Sequence, residues 1–131
     1  MRGADSGPWK QICALPAFWV GLLYDDEALD EAENIAQNFS FELLQRVRDD
    51  VPKSGLDLKI DGFDMLDLAR RVLDVSEKGL KNRAVFNKNG KDETIHLAPL
   101  QEIAHSGKTR ADLMLDLYNA DWQQDASQAL K

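Results

Sequence analysis

The chain has 131 residues, of which 44% are apolar and 30% charged, and its formal net charge is -7. That length suits one modest domain with a single core, and the acidic balance, with Lys and Arg scattered rather than clustered, excludes a nucleic-acid-binding surface. The lone Cys13 excludes an internal disulfide framework and a structural zinc cluster.

The longest apolar stretch, residues 12–24, is interrupted by Pro16 and Gly21 and falls short of the ~20 residues that a bilayer demands. No membrane partner is expected. With no leader pattern of basic, apolar and small residues in order, the expected location is the reducing cytoplasm.

Residues 1–8 are rich in Gly and small polar side chains and read as a loop. Pro16 suits a first helical turn, so residues 17–24 read as a helix that is apolar on every face and must be buried against something large. Over residues 26–39, Leu29, Ala32, Ile35, Ala36 and Phe39 recur at three- and four-residue spacing, which predicts an amphipathic helix. Ser40 is an N-cap for a further helix through Leu43, Leu44 and Val47, which the Val51-Pro52 step should end. Residues 53–62 read as a linker.

Asp64 caps the next predicted helix, with Ala69, Val72, Leu73, Ser76 and Leu80 on one stripe and Asp67, Arg70, Arg71 and Asp74 facing away. Between residues 87 and 93, Asn89-Gly90 has turn chemistry. Val85-Phe86 could pair with Thr94-Ile95 as a short hairpin, or the segment is a plain surface loop, which is the preferred reading. Pro99 opens a short helix that Gly107 stops, and Thr109 with Asp112 forms a capping-box-like pair ahead of Leu113, Met114, Leu117 and Tyr118. The fold class is therefore all-α: one helical region over residues 1–131, with a polar tail at residues 123–131 prone to fraying.

Chemistry is sparse. His96 and His105 lie on separate short elements without metal-ligand spacing to Cys or acidic clusters, so no metal site is expected. There is no phosphate-binding loop, dinucleotide fingerprint or nucleophile elbow. Two features stand out: Arg2 and Asp5 in a glycine-bearing loop, which suits phosphate or carboxylate recognition or a surface salt bridge, and the dense aromatics Trp9, Phe18, Trp19 and Tyr24. Core packing accounts for such aromatics in most proteins. Yet the few helices of a chain this short cannot cover an all-apolar helix, so at least one of the four is expected to be exposed.

The run Met1-Arg2-Gly3-Ala4-Asp5, then Gly7-Pro8-Trp9, then Cys13-Ala14-Leu15-Pro16-Ala17-Phe18-Trp19-Val20-Gly21-Leu22-Leu23-Tyr24-Asp25 resembles a stretch of the plant and proteobacterial glutamate–cysteine ligases. Matches continue in order through Val51-Pro52, Gly79-Leu80, Arg83, Ser106-Gly107, Leu117-Tyr118-Asn119 and Trp122, so the resemblance covers essentially the whole chain. It implies a helical C-terminal segment of a glutamine-synthetase-like α+β ligase that joins L-glutamate to L-cysteine with ATP and Mg2+. Residues 1–8 would be the loop after the last active-site strand.

The resemblance also implies roles. Arg2 would be the catalytic and substrate-binding cation near the γ-phosphate or a substrate carboxylate, with Asp5 and Trp9 weaker substrate-binding candidates. Cys13 matches a position that forms a redox-sensitive disulfide in plant members. The family's acidic metal ligand falls two residues before the match to Arg2, just outside this chain. The expectation is a fragment, inactive alone, whose partner is the missing N-terminal catalytic domain. The segment at residues 87–96 looks more like bacterial members, which favours a bacterial cytoplasm over a plastid. The other reading is a stand-alone helical interaction module, and the ligase of ergothioneine synthesis shares this segment's features.

Overall fold

The computed structural model describes residues 7–122 and 124–130. Among them are six α-helices, α1 (Trp9–Leu23), α2 (Asp26–Gln37), α3 (Phe41–Ser54), α4 (Met65–Arg83), α5 (Ala98–Ser106) and α6 (Arg110–Ala120), and one hairpin of two strands, β1 (Lys59–Ile60) and β2 (Phe63–Asp64). Short 3-10 turns span Gly55–Asp57, Glu93–Leu97 and Ala126–Leu130. The all-helical expectation holds, with the hairpin as its one exception.

Side-chain caps fix most helix starts, because the first amides of a helix have no partner within it. Asp25 accepts from the Ala28 amide (3.0 Å), Ser40 from Leu43 (3.2 Å) and Asp64 from Asp67 (3.0 Å). Thr109 and Asp112 complete a reciprocal capping box at α6, the Thr109 amide donating to Asp112 at 2.7 Å and the Asp112 amide to Thr109 at 3.3 Å. Gly107 takes the left-handed conformation that ends α5.

Three boundaries differ from expectation. α1 begins at Trp9, not after Pro16: extended Pro8 supplies the carbonyl for the Gln11 and Ile12 amides, and Pro16 sits inside the helix. An interior proline removes one hydrogen bond and costs about 3 kcal/mol. Here Pro16 and Ile12 both face outward, so the carbonyl that loses its donor is not enclosed in the core. α3 likewise runs through Pro52 and stops at Gly55 (φ 54°). Val51 is drawn into the core beside Val47, and that packing outweighs the proline's bias on the residue before it.

The third difference is the supposed linker at residues 53–62. It holds a 3-10 turn and β1, and then a two-residue turn in which Asp61 (φ 48°) and Gly62 (φ 81°) are both left-handed, the geometry that matches strand twist. Lys59 lies opposite Asp64, and their side chains pair at 2.8 Å. By contrast, residues 87–93 do form the preferred surface loop, closed by one bridge between Phe86 and Asp92 and by the Asn87 side chain, which accepts from the amides of Asn89 and Lys91. Thr94 and Ile95 belong to the 3-10 turn that follows.

α4 is the central element. Leu73 and Leu80 pack with Ala17, Leu97 and Ala104 from α1, the 3-10 turn and α5. Val75 joins Leu22, Ala28 and Ile35, and the start of α4 closes over Val47, Leu58 and Phe63. Phe18 reaches both of the first two clusters, while Phe39 and Leu68 reach the last two. Of the expected stripe, Leu73, Ser76 and Leu80 are buried and Ala69 and Val72 half-buried, while Asp67, Arg70, Arg71 and Asp74 all face outward.

Where α1 meets α4, the backbones nearly touch. A Cβ built on Gly79 would sit 1.9 Å from the Gly21 carbonyl oxygen, and one built on Gly21 would sit 2.2 Å from the Ser76 carbonyl oxygen. Fully buried Ser76 donates its hydroxyl to the Phe18 carbonyl at 2.9 Å, joining the two helices.

Gly79→Ala tests that crossing. Inside a helix the change should gain about 0.5–1 kcal/mol of local propensity, but the obstructing atom is backbone and cannot rotate away. Forced separation of packed elements costs about 1–3 kcal/mol, so a net loss of stability is expected in urea titrations, and a variant as stable as the parent would refute the contact.

A second test uses pH. The Asp64 carboxyl is held below its ordinary range first by the Lys59 ammonium and then by the Asp67 amide, and that of Asp112 by the Thr109 hydroxyl and amide. A lowered folded-state pKa favours folding above the ordinary value and loses that contribution as pH falls through the folded one, here below about pH 4. Asp64→Asn with Asp112→Asn keeps cap acceptors but removes the titration. The double variant should therefore lose stability less steeply on acidification, followed by circular dichroism; unchanged steepness would show that these carboxylates do not drive acid unfolding.

Candidate functional site

Arg2 and Asp5 lie outside the described residues. The remaining candidates gather at the start of α1. Trp9, 76% exposed, opens a groove of about 380 Å³ that it shares with Lys10 and Cys13 from α1, with His96 from the Glu93–Leu97 turn and with Pro99 and Glu102 from α5. Cys13 is a half-buried free thiol in this groove. His105 is not part of it: at the end of α5 its backbone carbonyl, like that of Ala104, accepts from the Arg70 guanidinium (3.5 and 2.8 Å). The structure thus joins Trp9, Cys13 and His96 and leaves His105 apart.

The groove's chemistry is modest. Its one lysine and one glutamate cancel in formal charge, and among the described residues no group of three His, Cys, Asp or Glu side chains is placed to hold a metal ion. Three arginines that could have met a phosphate are engaged structurally. Arg70 binds the carbonyls ending α5, Arg83 pairs with Glu93 (3.3 Å) and lies 5.5 Å from the Tyr24 ring centre, and Arg46 pairs with Asp61.

A second feature runs along α1. The small residues Ala14, Ala17 and Gly21 face inward, while Ile12, Leu15, Trp19 and Leu23 face out at three- and four-residue spacing. Trp19 is 51% and Tyr24 69% exposed, as is expected of a helix too apolar for its own chain to cover, whereas Phe18 is half-buried. Reading residues 17–24 as uniformly apolar concealed that the helix has two faces, one small and one large. The same three- and four-residue spacing, counted back through Pro16, brings Ile12 and Leu15 onto this outer face. Among the described residues no helix is long and apolar enough to cross a membrane.

Comparison with known proteins gives this surface a context. The model of glutamate–cysteine ligase family 2 matches residues 1–130. The chain is 41% identical over 124 residues to glutamate–cysteine ligase A, chloroplastic, of Oryza sativa subsp. indica, covering 94% of this chain and 24% of that relative. The chloroplastic glutamate–cysteine ligases of Solanum lycopersicum and Arabidopsis thaliana are 38% and 37% identical, with 95% of this chain and 23% of each relative covered. The chain thus spans about a quarter of the length of the curated relatives it matches. With the match running through essentially every described element, the chain belongs to glutamate–cysteine ligase family 2.

Proposed function

We propose that this chain is the helical C-terminal portion of an ATP-dependent glutamate–cysteine ligase, the enzyme that forms γ-glutamylcysteine from L-glutamate and L-cysteine. The observation that carries the reading is the family match over residues 1–130. In the whole reaction a side-chain carboxylate oxygen of glutamate takes the γ-phosphoryl group of ATP and ADP leaves. The cysteine amine then attacks the acyl carbon, loses its proton and expels phosphate. Mg2+, when bound, supplies charge neutralisation on the phosphates, and its ligands come from parts of the ligase other than the described residues.

In this reading Arg2 contributes a fixed cation to the transferring phosphoryl group or a substrate carboxylate, with Asp5 and Trp9 shaping the loop around it. Cys13, facing the groove beside Trp9, is the redox-responsive position. The setting in this reading is the cytoplasm of a bacterium, on the resemblance of residues 87–96 to bacterial members, whereas the relatives from rice, tomato and Arabidopsis are chloroplastic. The competing reading, a stand-alone interaction module, would have been favoured by full burial of Trp9, Phe18, Trp19 and Tyr24, and three of the four are exposed.

Purified alone, the chain should show no glutamate-dependent ATP hydrolysis and form no γ-glutamylcysteine, because the described residues supply no magnesium ligand set. Metal-dependent product from the isolated chain would overturn this division of labour. A chimera in which the chain replaces the matching quarter of the rice enzyme should instead be active. Within it, Arg2→Ala should lower turnover at least about tenfold with the fold intact, since losing one preorganised charge at a transferring phosphoryl group costs on the order of 1.4 kcal/mol or more. Unchanged kinetics would reduce Arg2 to a loop residue.

A further inference from the structure

Between Lys10 and Asp25 α1 and its end carry no charge, and the outward residues Ile12, Leu15, Trp19 and Leu23 form one apolar line. Leu15 sits at its middle and also lines an apolar cavity of about 260 Å³ with Phe18, Leu56, Leu73, Leu100 and Ile103. Stripe and cavity are therefore one continuous surface.

Apart from α6, whose Leu113, Met114, Leu115 and Leu117 are also exposed, the body around α4 is closed upon itself. The three core clusters share side chains, four helices begin on their own side-chain caps, and no buried side-chain nitrogen or oxygen among the described residues lacks a partner. Such a unit has what it needs to fold alone, yet it leaves the uncharged apolar face of α1 in water.

Resting on the ligase reading above, we propose that the chain folds autonomously and docks through the α1 stripe and the adjoining cavity onto an apolar face of the remaining ligase polypeptide, tightly enough to stay bound without a peptide link. Two observations select this occupant. The matched relatives extend well beyond the 24% that aligns, so a large partner surface exists in the same protein. A second copy is disfavoured because each chain carries a net charge of -7, which opposes self-association.

The experiment uses the rice chimera, its activity established first, with a protease site then inserted ahead of residue 1. After cleavage, the two pieces should co-elute in gel filtration. Leu15→Asp and Trp19→Asp should weaken that association by more than about tenfold, the effect of charging one large buried apolar side chain. The same variants of the isolated chain should still fold cooperatively, with a smaller loss of stability than of association, because each side chain is only partly packed in it, Leu15 along the cavity and Trp19 against Phe18.

Separation of the pieces of an active chimera on cleavage would overturn the proposal, as would unaltered association of the variants. Unfolding of the isolated variants would place the stripe in the chain's own core and overturn it too. If the pieces separate while the isolated chain forms a dimer that Trp19→Asp abolishes, the occupant is a second copy. A chimera that is inactive before the site is inserted would instead remove the ligase reading and this inference with it.

Discussion

The architecture depends on the near-contact of two backbones. Gly21 and Gly79 allow α1 to lie against α4 so closely that a single methyl on either glycine meets a carbonyl oxygen, and Ser76 converts the approach into a hydrogen bond to Phe18. At that distance α1 must present small side chains to α4, which is why Ala14, Ala17 and Gly21 point inward. The helix's large apolar residues are thereby displaced to its flanks and outer side. Phe18 and Leu22 turn to neighbouring clusters, while Trp19 and Leu23 are left in water. The exposed stripe and the close crossing are two results of one choice of residues.

Around this crossing, polar contacts link the other elements. Asp25 caps α2 and also accepts from Asn82 of α4 at 3.2 Å. Gln101 of α5 reaches Glu77 of α4 at 2.8 Å, and Lys78 lies 3.4 and 3.5 Å from Glu27 and Glu31 of α2. Exposed polar contacts of this kind contribute little stability individually, and they lie at the rim of the apolar clusters that set the packing of α2 and α5 on α4.

Local chemistry was the legible part of the sequence. Asp64, Ser40, Thr109 with Asp112, Pro99 and Gly107 all perform the terminal roles that their residue types suggest, because a cap acts within one helical turn and needs no distant partner. Pro16 and Pro52 misled, since their local penalty was outweighed by burial of residues on the opposite side. The hairpin was available in Asp61-Gly62 between Ile60 and Phe63, but strands of two residues leave too little alternation to register as strands. The groove uniting Trp9 and Cys13 with His96 and Glu102 was invisible for another reason. It is made by packing the start of α1 against residues more than eighty positions away, and no spacing rule along a chain encodes that meeting.

The sharing of Phe18, Phe39 and Leu68 between clusters determines how the molecule comes apart. A core divided into three separate pockets could melt in stages. Here each pocket lends a wall to the next, so opening one exposes side chains of its neighbour, and the helices around α4 lose order in one concerted step. α6 stands outside this arrangement, with none of its residues buried and Leu113, Met114, Leu115 and Leu117 in water. Its amides should accordingly exchange with solvent through local fraying, whereas those of central α4 are released only when the whole body opens.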